Sequence, residues 1–181
     1  MAVTVEALFT PNQLSALDAK RIPRHIAIIP DGNRRWAKQQ GWQYTFGHKA
    51  GAHKLIETVK AAKELGVATV TFFIFSTENW NRSQAEIAAL MWLLKDFLRK
   101  YSSEMQLEGV RLQTIGDLSA FSEDVLDVIH ETVRDTAAGD QIDMVLALNY
   151  GARDEIRRTV ERIAELCHEG KLQPGQITET V

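Results

Sequence analysis

Four short runs of β-branched, aliphatic and aromatic residues, at 25–29, 67–75, 109–116 and 142–148, constrain this chain most. Each gap between them is long enough for a helix and carries apolar residues at three- and four-residue spacing. Strands that alternate with helices do not close as hairpins. They pair side by side in parallel, with the crossover helices laid on the sheet. The expected fold class is α/β: a mostly parallel central sheet flanked by helices, all in one domain spanning 23–181 after an N-terminal arm at 1–22.

The individual segments follow from their patterns. His25 to Ile29 reads as a short, continuously apolar strand, and Val67 to Phe75, rich in β-branched and aromatic residues, reads as a strand buried inside a parallel sheet. A short helix is expected from Trp36 to Gly41, and an irregular link from Trp42 to Phe46. From His48 to Leu65 a helix turns Ala52, Leu55, Ile56, Val59 and Ala62 inward, with Gly66 as its stop. Ser83 and Glu86 form a capping-box pattern ahead of a helix from about Gln84 to about Met105. That helix is apolar without a break from Ala88 through Leu94, more than one sheet contact requires; it is either packed on a second partner or the wall of an apolar tunnel. A helix from Ser122 to Ala138 stops at Gly139, and a basic helix follows Arg153. Pro174-Gly175 marks a turn, and an element begins at Ile177.

Three of the four strands run into polar turns. In an open parallel sheet the loops after the strands lie on one edge, so Asp31–Arg35 and Ser76–Arg82 are expected to meet across more than forty residues of chain. The first turn, Asp31-Gly32-Asn33-Arg34-Arg35, has the chemistry of a phosphate site. Gly32 and Asn33 accept a sharp turn, the helix start offers free N–H groups, and Arg34, Arg35 and Lys38 add charge. Asp31 at the strand mouth is a candidate for a divalent metal. With Asp31 and Glu78 available and no His/Cys spacing of a zinc site, Mg²⁺ suits these residues better. His48, between Gly47 and Gly51, is placed at a helix start, where an anion is favoured.

Composition narrows the partners. With 21 Lys and Arg against 24 Asp and Glu, the net charge of −3 argues against broad electrostatic binding of nucleic acid, so the anion is small. Cys167 is alone, which removes a disulfide framework and fits a reducing, cytoplasmic setting. No stretch is long and apolar enough to span a bilayer. Neither Gly-x-x-x-x-Gly-Lys nor Gly-x-Gly-x-x-Gly occurs, which excludes the two main nucleotide signatures.

Four blocks, Asp31-Gly32-Asn33-Arg34-Arg35-Trp36-Ala37, Gly47-His48-Lys49-Ala50-Gly51, Phe75-Ser76-Thr77-Glu78-Asn79-Trp80 with Arg82, and Asn149-Tyr150-Gly151-x-Arg153, resemble in order and spacing the cis-prenyltransferase family. The resemblance is nearest to the bacterial undecaprenyl diphosphate synthases. It implies condensation of isopentenyl diphosphate onto an allylic diphosphate, farnesyl diphosphate in particular, with Mg²⁺ and cis geometry. The product would be a long polyprenyl diphosphate, a lipid carrier for cell-wall precursors. Asp31 and Asn79 would be catalytic, Asp31 holding the metal and Asn79 assisting proton removal. Gly32, Asn33, Arg34, Arg35 and His48 would hold the allylic diphosphate, with Ser76, Glu78, Trp80 and Arg82 placing the reacting ends and Trp36 and Thr77 also contacting substrate. It further implies a homodimer at full length. The family's C-terminal motif region lies beyond Val181, so the catalytic domain is expected to be C-terminally incomplete and these 181 residues inactive alone. Pro30 and Tyr44 stand where the family commonly has Met and Arg, which keeps open a second reading as a non-catalytic subunit or prenyl diphosphate-binding module. Burying one isoprene unit is worth about 3–4 kcal/mol at about 0.8 kcal/mol per CH₂, so a long product is expected to pass to a membrane that the enzyme touches only transiently, as a peripheral protein.

Overall fold

The computed structural model describes residues 7–178. Ten elements run in order: α1 (Pro11–Ser15), β1 (His25–Ile28), α2 (Asn33–Gln39), α3 (Tyr44–Glu64), β2 (Thr69–Ser76), α4 (Gln84–Leu107), β3 (Val110–Ile115), α5 (Glu123–Asp135), β4 (Ile142–Tyr150) and α6 (Ala152–His168). The four strands form one parallel sheet in the order β1-β2-β4-β3. The alternation of strand and helix is therefore realised as a parallel α/β sheet. Its four strands all end toward the same edge, which brings the successive polar turns together.

One face of the sheet carries the core. Val70 and Phe72 of β2, Met144, Leu146 and Leu148 of β4 and Leu112 of β3 pack against Leu55 and Val59 of α3, Leu94, Leu98 and Met105 of α4, and Val125 and Ile129 of α5. The pairing of β2 with β4 shifts register between Phe73 and Phe75, which marks a bulge at Ile74. The bulge keeps both Phe72 and Phe75 buried, although three positions apart they would otherwise face opposite sides.

β1 is at the sheet edge with His25 and Ala27 exposed, because strand order is a long-range property that an apolar run does not encode. Several expectations are corrected. The Trp42–Phe46 link is mostly helix, since α3 starts at Tyr44, so His48 lies in its second turn and not at its start. Gln43, the N-cap, makes no side-chain cap bond, which is why nothing local announces this start. α5 ends at Asp135, short of Ala138, and the Thr136 hydroxyl there accepts from the Leu112 N–H of β3 at 3.1 Å. The element expected from Ile177 falls partly on residues outside the described ones, and residues 177–178 form no regular structure. Before β1, α1 is held by a Thr10–Gln13 capping box, and the chain is tied to α3 by Leu8 and Phe9 N–H bonds to the Glu64 carboxylate at 2.8 and 3.1 Å.

α2 and α3 touch more closely than side chains normally permit. A Cβ on Gly47 would lie 2.1 Å from the Asn33 carbonyl oxygen, and one on Gly51 would lie 2.6 Å from Asn33 Oδ1. The two glycines, one helical turn apart, form a seat for the first residue of α2. Ala in place of Gly47 gains about 1 kcal/mol of helix propensity but must displace backbone, an overpacking cost of about 1–3 kcal/mol. Gly47→Ala is expected to lower stability in urea unfolding; a variant as stable as the wild type would show that the seat is not tight.

Candidate active site

A cleft of ≈ 560 Å³ opens at the C-terminal edge of the sheet. Its polar end is lined by Asp31, Gly32, Asn33, Arg34, Arg35, His48, Ser76, Asn79, Arg82 and Glu86. Its apolar end is lined by Ala52 and Leu55 of α3, Ile74 of β2, and Leu90, Met91, Leu94 and Phe97 of α4. The two turns thus meet, and the surplus apolar surface of α4 has a use as the cleft wall. Trp92, on the same helix, remains 56% exposed.

Local geometry builds the polar end. Gly32 takes φ +95° as the N-cap of α2, so the chain reverses sharply after β1 and the first N–H groups of α2 have no helical acceptor. Asp31 fixes this turn, its Oδ1 accepting from the Gly32 N–H at 2.5 Å and its Oδ2 from Arg35 Nη2 at 3.0 Å. Arg34 Nη1 lies 3.4 Å from Glu86 Oε1 at the start of α4. Arg82 has no ion-pair partner among the described residues. On the other turn, Asn79 Oδ1 accepts from the Ser76 N–H at 3.1 Å, which winds 77–81 into a tight 3₁₀ turn. Half-buried among these groups, His48 is held below the usual imidazole value of 6.5, first by burial and then by the charges of Arg82 and Arg34, against the opposing Glu86. An imidazole kept neutral among arginines is a site prepared for a polyanion.

Four of the expected residues lie outside the cleft lining. Trp36 faces away, its ring edge-on to Trp42 at 5.5 Å between centroids. Glu78 is exposed, its carboxyl lowered first by the Ser76 hydroxyl and then by its own backbone N–H. Thr77 does not reach the cleft either. Trp80 turns into the core, against Phe75 at 4.9 Å and Phe121 at 5.5 Å, and donates Nε1–H to Asn149 Oδ1 at 2.8 Å. Asn149 sits at φ 49°, buried, and passes the bond on to the Asp117 carbonyl at 2.8 Å. The fourth sequence block is therefore a fastening for the Ser76–Arg82 turn. Glu86 belongs to the cleft and was legible only as a capping residue. Arg157 and Arg162 form exposed pairs along α6, whereas Arg158 reaches Asp117 at 3.5 Å.

Among the described residues no group of three or more His, Cys, Asp or Glu comes together. The single carboxylate of Asp31 fits a hard cation that draws its remaining oxygens from a diphosphate and water, as Mg²⁺ does.

Comparison with known proteins matches residues 29–181 to the family model described as "Putative undecaprenyl diphosphate synthase". The chain is 43% identical over 157 residues to an isoprenyl transferase of Agrobacterium fabrum, covering 87% of this chain and 64% of that protein. It is 43% identical over 159 residues to an isoprenyl transferase of Clostridium perfringens, covering 88% and 63%. The chain thus spans just under two thirds of the length of these curated relatives. Among solved structures it is similar to lavandulyl diphosphate synthase from Lavandula x intermedia in complex with dimethylallyl diphosphate, at TM-score 0.84 and 33% identity, covering 88% of this chain and 68% of that one. It is also similar to a probable undecaprenyl diphosphate synthase from Campylobacter jejuni, at TM-score 0.64 and 33% identity, covering 86% and 65%.

Two expectations follow from the geometry. A native imidazole with lowered pKa favours the fold above the usual value and weakens it as pH falls through that range; a bound polyanion raises the pKa again. Inorganic pyrophosphate is therefore expected to bind with proton uptake near neutral pH, measured by calorimetry in buffers of different ionisation enthalpy, and His48→Gln should remove that part of the uptake. Trp80→Phe leaves Asn149 Oδ1 short of its donor and is expected to cost about 1–3 kcal/mol of stability with pyrophosphate affinity unchanged; loss of affinity without loss of stability would instead place Trp80 in the binding site.

Proposed function

The chain belongs to the undecaprenyl diphosphate synthase family of prenyltransferases, and we propose that the protein joins isopentenyl diphosphate to an allylic diphosphate, farnesyl diphosphate in particular, forming cis double bonds in a long polyprenyl diphosphate. One observation carries this reading: a single cleft joins a cationic, N–H-lined mouth to an apolar wall. A molecule with a diphosphate head and a hydrocarbon tail matches both ends.

The chemistry needs charge stabilisation above all. As the allylic C–O bond breaks, negative charge gathers on the leaving diphosphate; Arg34, Arg35, Arg82, the free N–H groups of α2 and His48 are set to receive it. Glu86 and Asp31 hold Arg34 and Arg35 in place until an anion competes for them. Asp31 would hold Mg²⁺, which, when bound, neutralises diphosphate oxygens. Ser76 and Asn79, at the start of the tight turn, face the same cleft and would orient the attacking isopentenyl group and its departing proton. The far end is lined by Leu55, Leu90, Met91, Leu94 and Phe97, where the growing chain would extend as in a tunnel. No helix among the described residues is long and apolar enough to cross a membrane. A cytoplasmic enzyme that dimerises and touches a bilayer to release its product is part of this reading, as is a carrier role in cell-wall synthesis.

Labelled isopentenyl diphosphate, farnesyl diphosphate and Mg²⁺ supplied to the full-length protein should give chain elongation. Asp31→Ala and Arg82→Ala should each lower kcat/KM by about 10²–10³-fold. Incorporation by Asp31→Ala equal to wild type would sink the assignment.

A further inference from the structure

The two helices that contribute Asn33–Arg35 and His48 to the cleft also carry, outside its lining, an aromatic ledge that the chemistry above does not use. Trp42 and Phe46 are 53% and 58% exposed, and Trp36 is 41% exposed. Their rings form a continuous file, Trp36 to Trp42 at 5.5 Å and Trp42 to Phe46 at 6.4 Å. A single exposed aromatic is unremarkable, but three in contact, carried by a rigid helix pair, make a surface.

The charge along the stretch of chain that carries the ledge is one-sided. From Gly32 to Ile56 the sequence has no Asp or Glu and five Lys or Arg, in a chain whose net charge is −3. Arg34, Arg35 and Lys54 are ion-paired, but Lys38 of α2 and Lys49 of α3 are exposed and have no ion-pair partner among the described residues. Indole and phenyl rings beside lysines suit the depth of lipid headgroups, where rings enter the acyl boundary and ammonium groups meet phosphate.

We propose that Trp42 and Phe46, with Lys38 and Lys49, dock the protein on an anionic bilayer surface, on the helix pair that also lines the cleft. The inference rests on the prenyl-transfer reading and deepens it by naming the surface. Docking here sets that helix pair at headgroup level, where a diphosphate head can change places with lipid phosphates while its tail moves into the acyl region.

The test uses the full-length protein and vesicles of phosphatidylcholine, with or without phosphatidylglycerol, in flotation and in tryptophan quenching by brominated acyl chains. Wild type should bind the anionic vesicles, and more weakly as salt rises. Trp42→Ser/Phe46→Ser should weaken binding at least about tenfold, and Lys38→Glu/Lys49→Glu should do the same. Trp92→Ser, which alters an exposed aromatic of α4 outside the ledge, should bind as wild type. The proposal is overturned if the ledge variant floats like wild type, if Trp92→Ser loses binding equally, or if the ledge variant changes only the sedimentation coefficient, which would assign the ledge to a second copy of the chain. Calorimetry with pyrophosphate keeps the two readings apart: wild type and ledge variant should bind it equally, and failure of the wild type to bind it would count against prenyl transfer, whatever the vesicles show.

Discussion

The seat that Gly47 and Gly51 make for Asn33 governs the geometry of the whole cleft. Asn33 is the first residue of α2, and Gly32, Arg34 and Arg35 are its neighbours, so fixing Asn33 against α3 fixes the anion-facing end of α2 relative to His48. With no Cβ on either glycine, the two backbones approach closely enough for one small cleft to be shared by both helices. A larger residue would move Arg34 away from the His48 imidazole, which burial first, then Arg82 and Arg34, keep below its usual pKa. In the sequence these glycines allow a close backbone approach, and in the fold it is the start of α2 that approaches.

The opposite turn is held by different means. Trp80 is locked from behind by Phe75, Phe121 and Asn149, and the strained φ of Asn149 is maintained by its bonds to Trp80 and Asp117. Three chain segments separated by tens of residues therefore agree on one conformation of 76–82. Asn79 and Arg82 face the cleft because Trp80, between them, faces the core. The alternation of a tight turn does here what alternation does in a strand.

The sheet, its parallel sense and the meeting of the two polar turns were legible in the sequence, because strand-helix alternation and apolar periodicity are local patterns with one economical three-dimensional solution. The cleft position of Asp31, Arg34, Arg35, His48, Ser76, Asn79 and Arg82 follows from that topology. What was not legible depended on long-range packing. The exposure of β1 follows from its place in the strand order, the start of α3 from a contact with α2 instead of a capping side chain, and the inward turn of Trp80 from a partner sixty-nine residues away. An aromatic in a polar loop says that it packs on something, but not on which side.

The stretch from Gly32 to Ile56, free of carboxylates, bears on rates as well as on equilibrium. Arg34, Arg35 and Lys54 are paired with carboxylates from outside the stretch, whereas Lys38 and Lys49 have no ion-pair partner among the described residues, and their field reaches about one Debye length, about 8 Å at physiological ionic strength. On the proposed reading a diffusing diphosphate would be drawn to this side, so capture would gain in frequency before any contact forms. An uncharged prenyl alcohol of the same length has no such guidance and must find the mouth by random encounter.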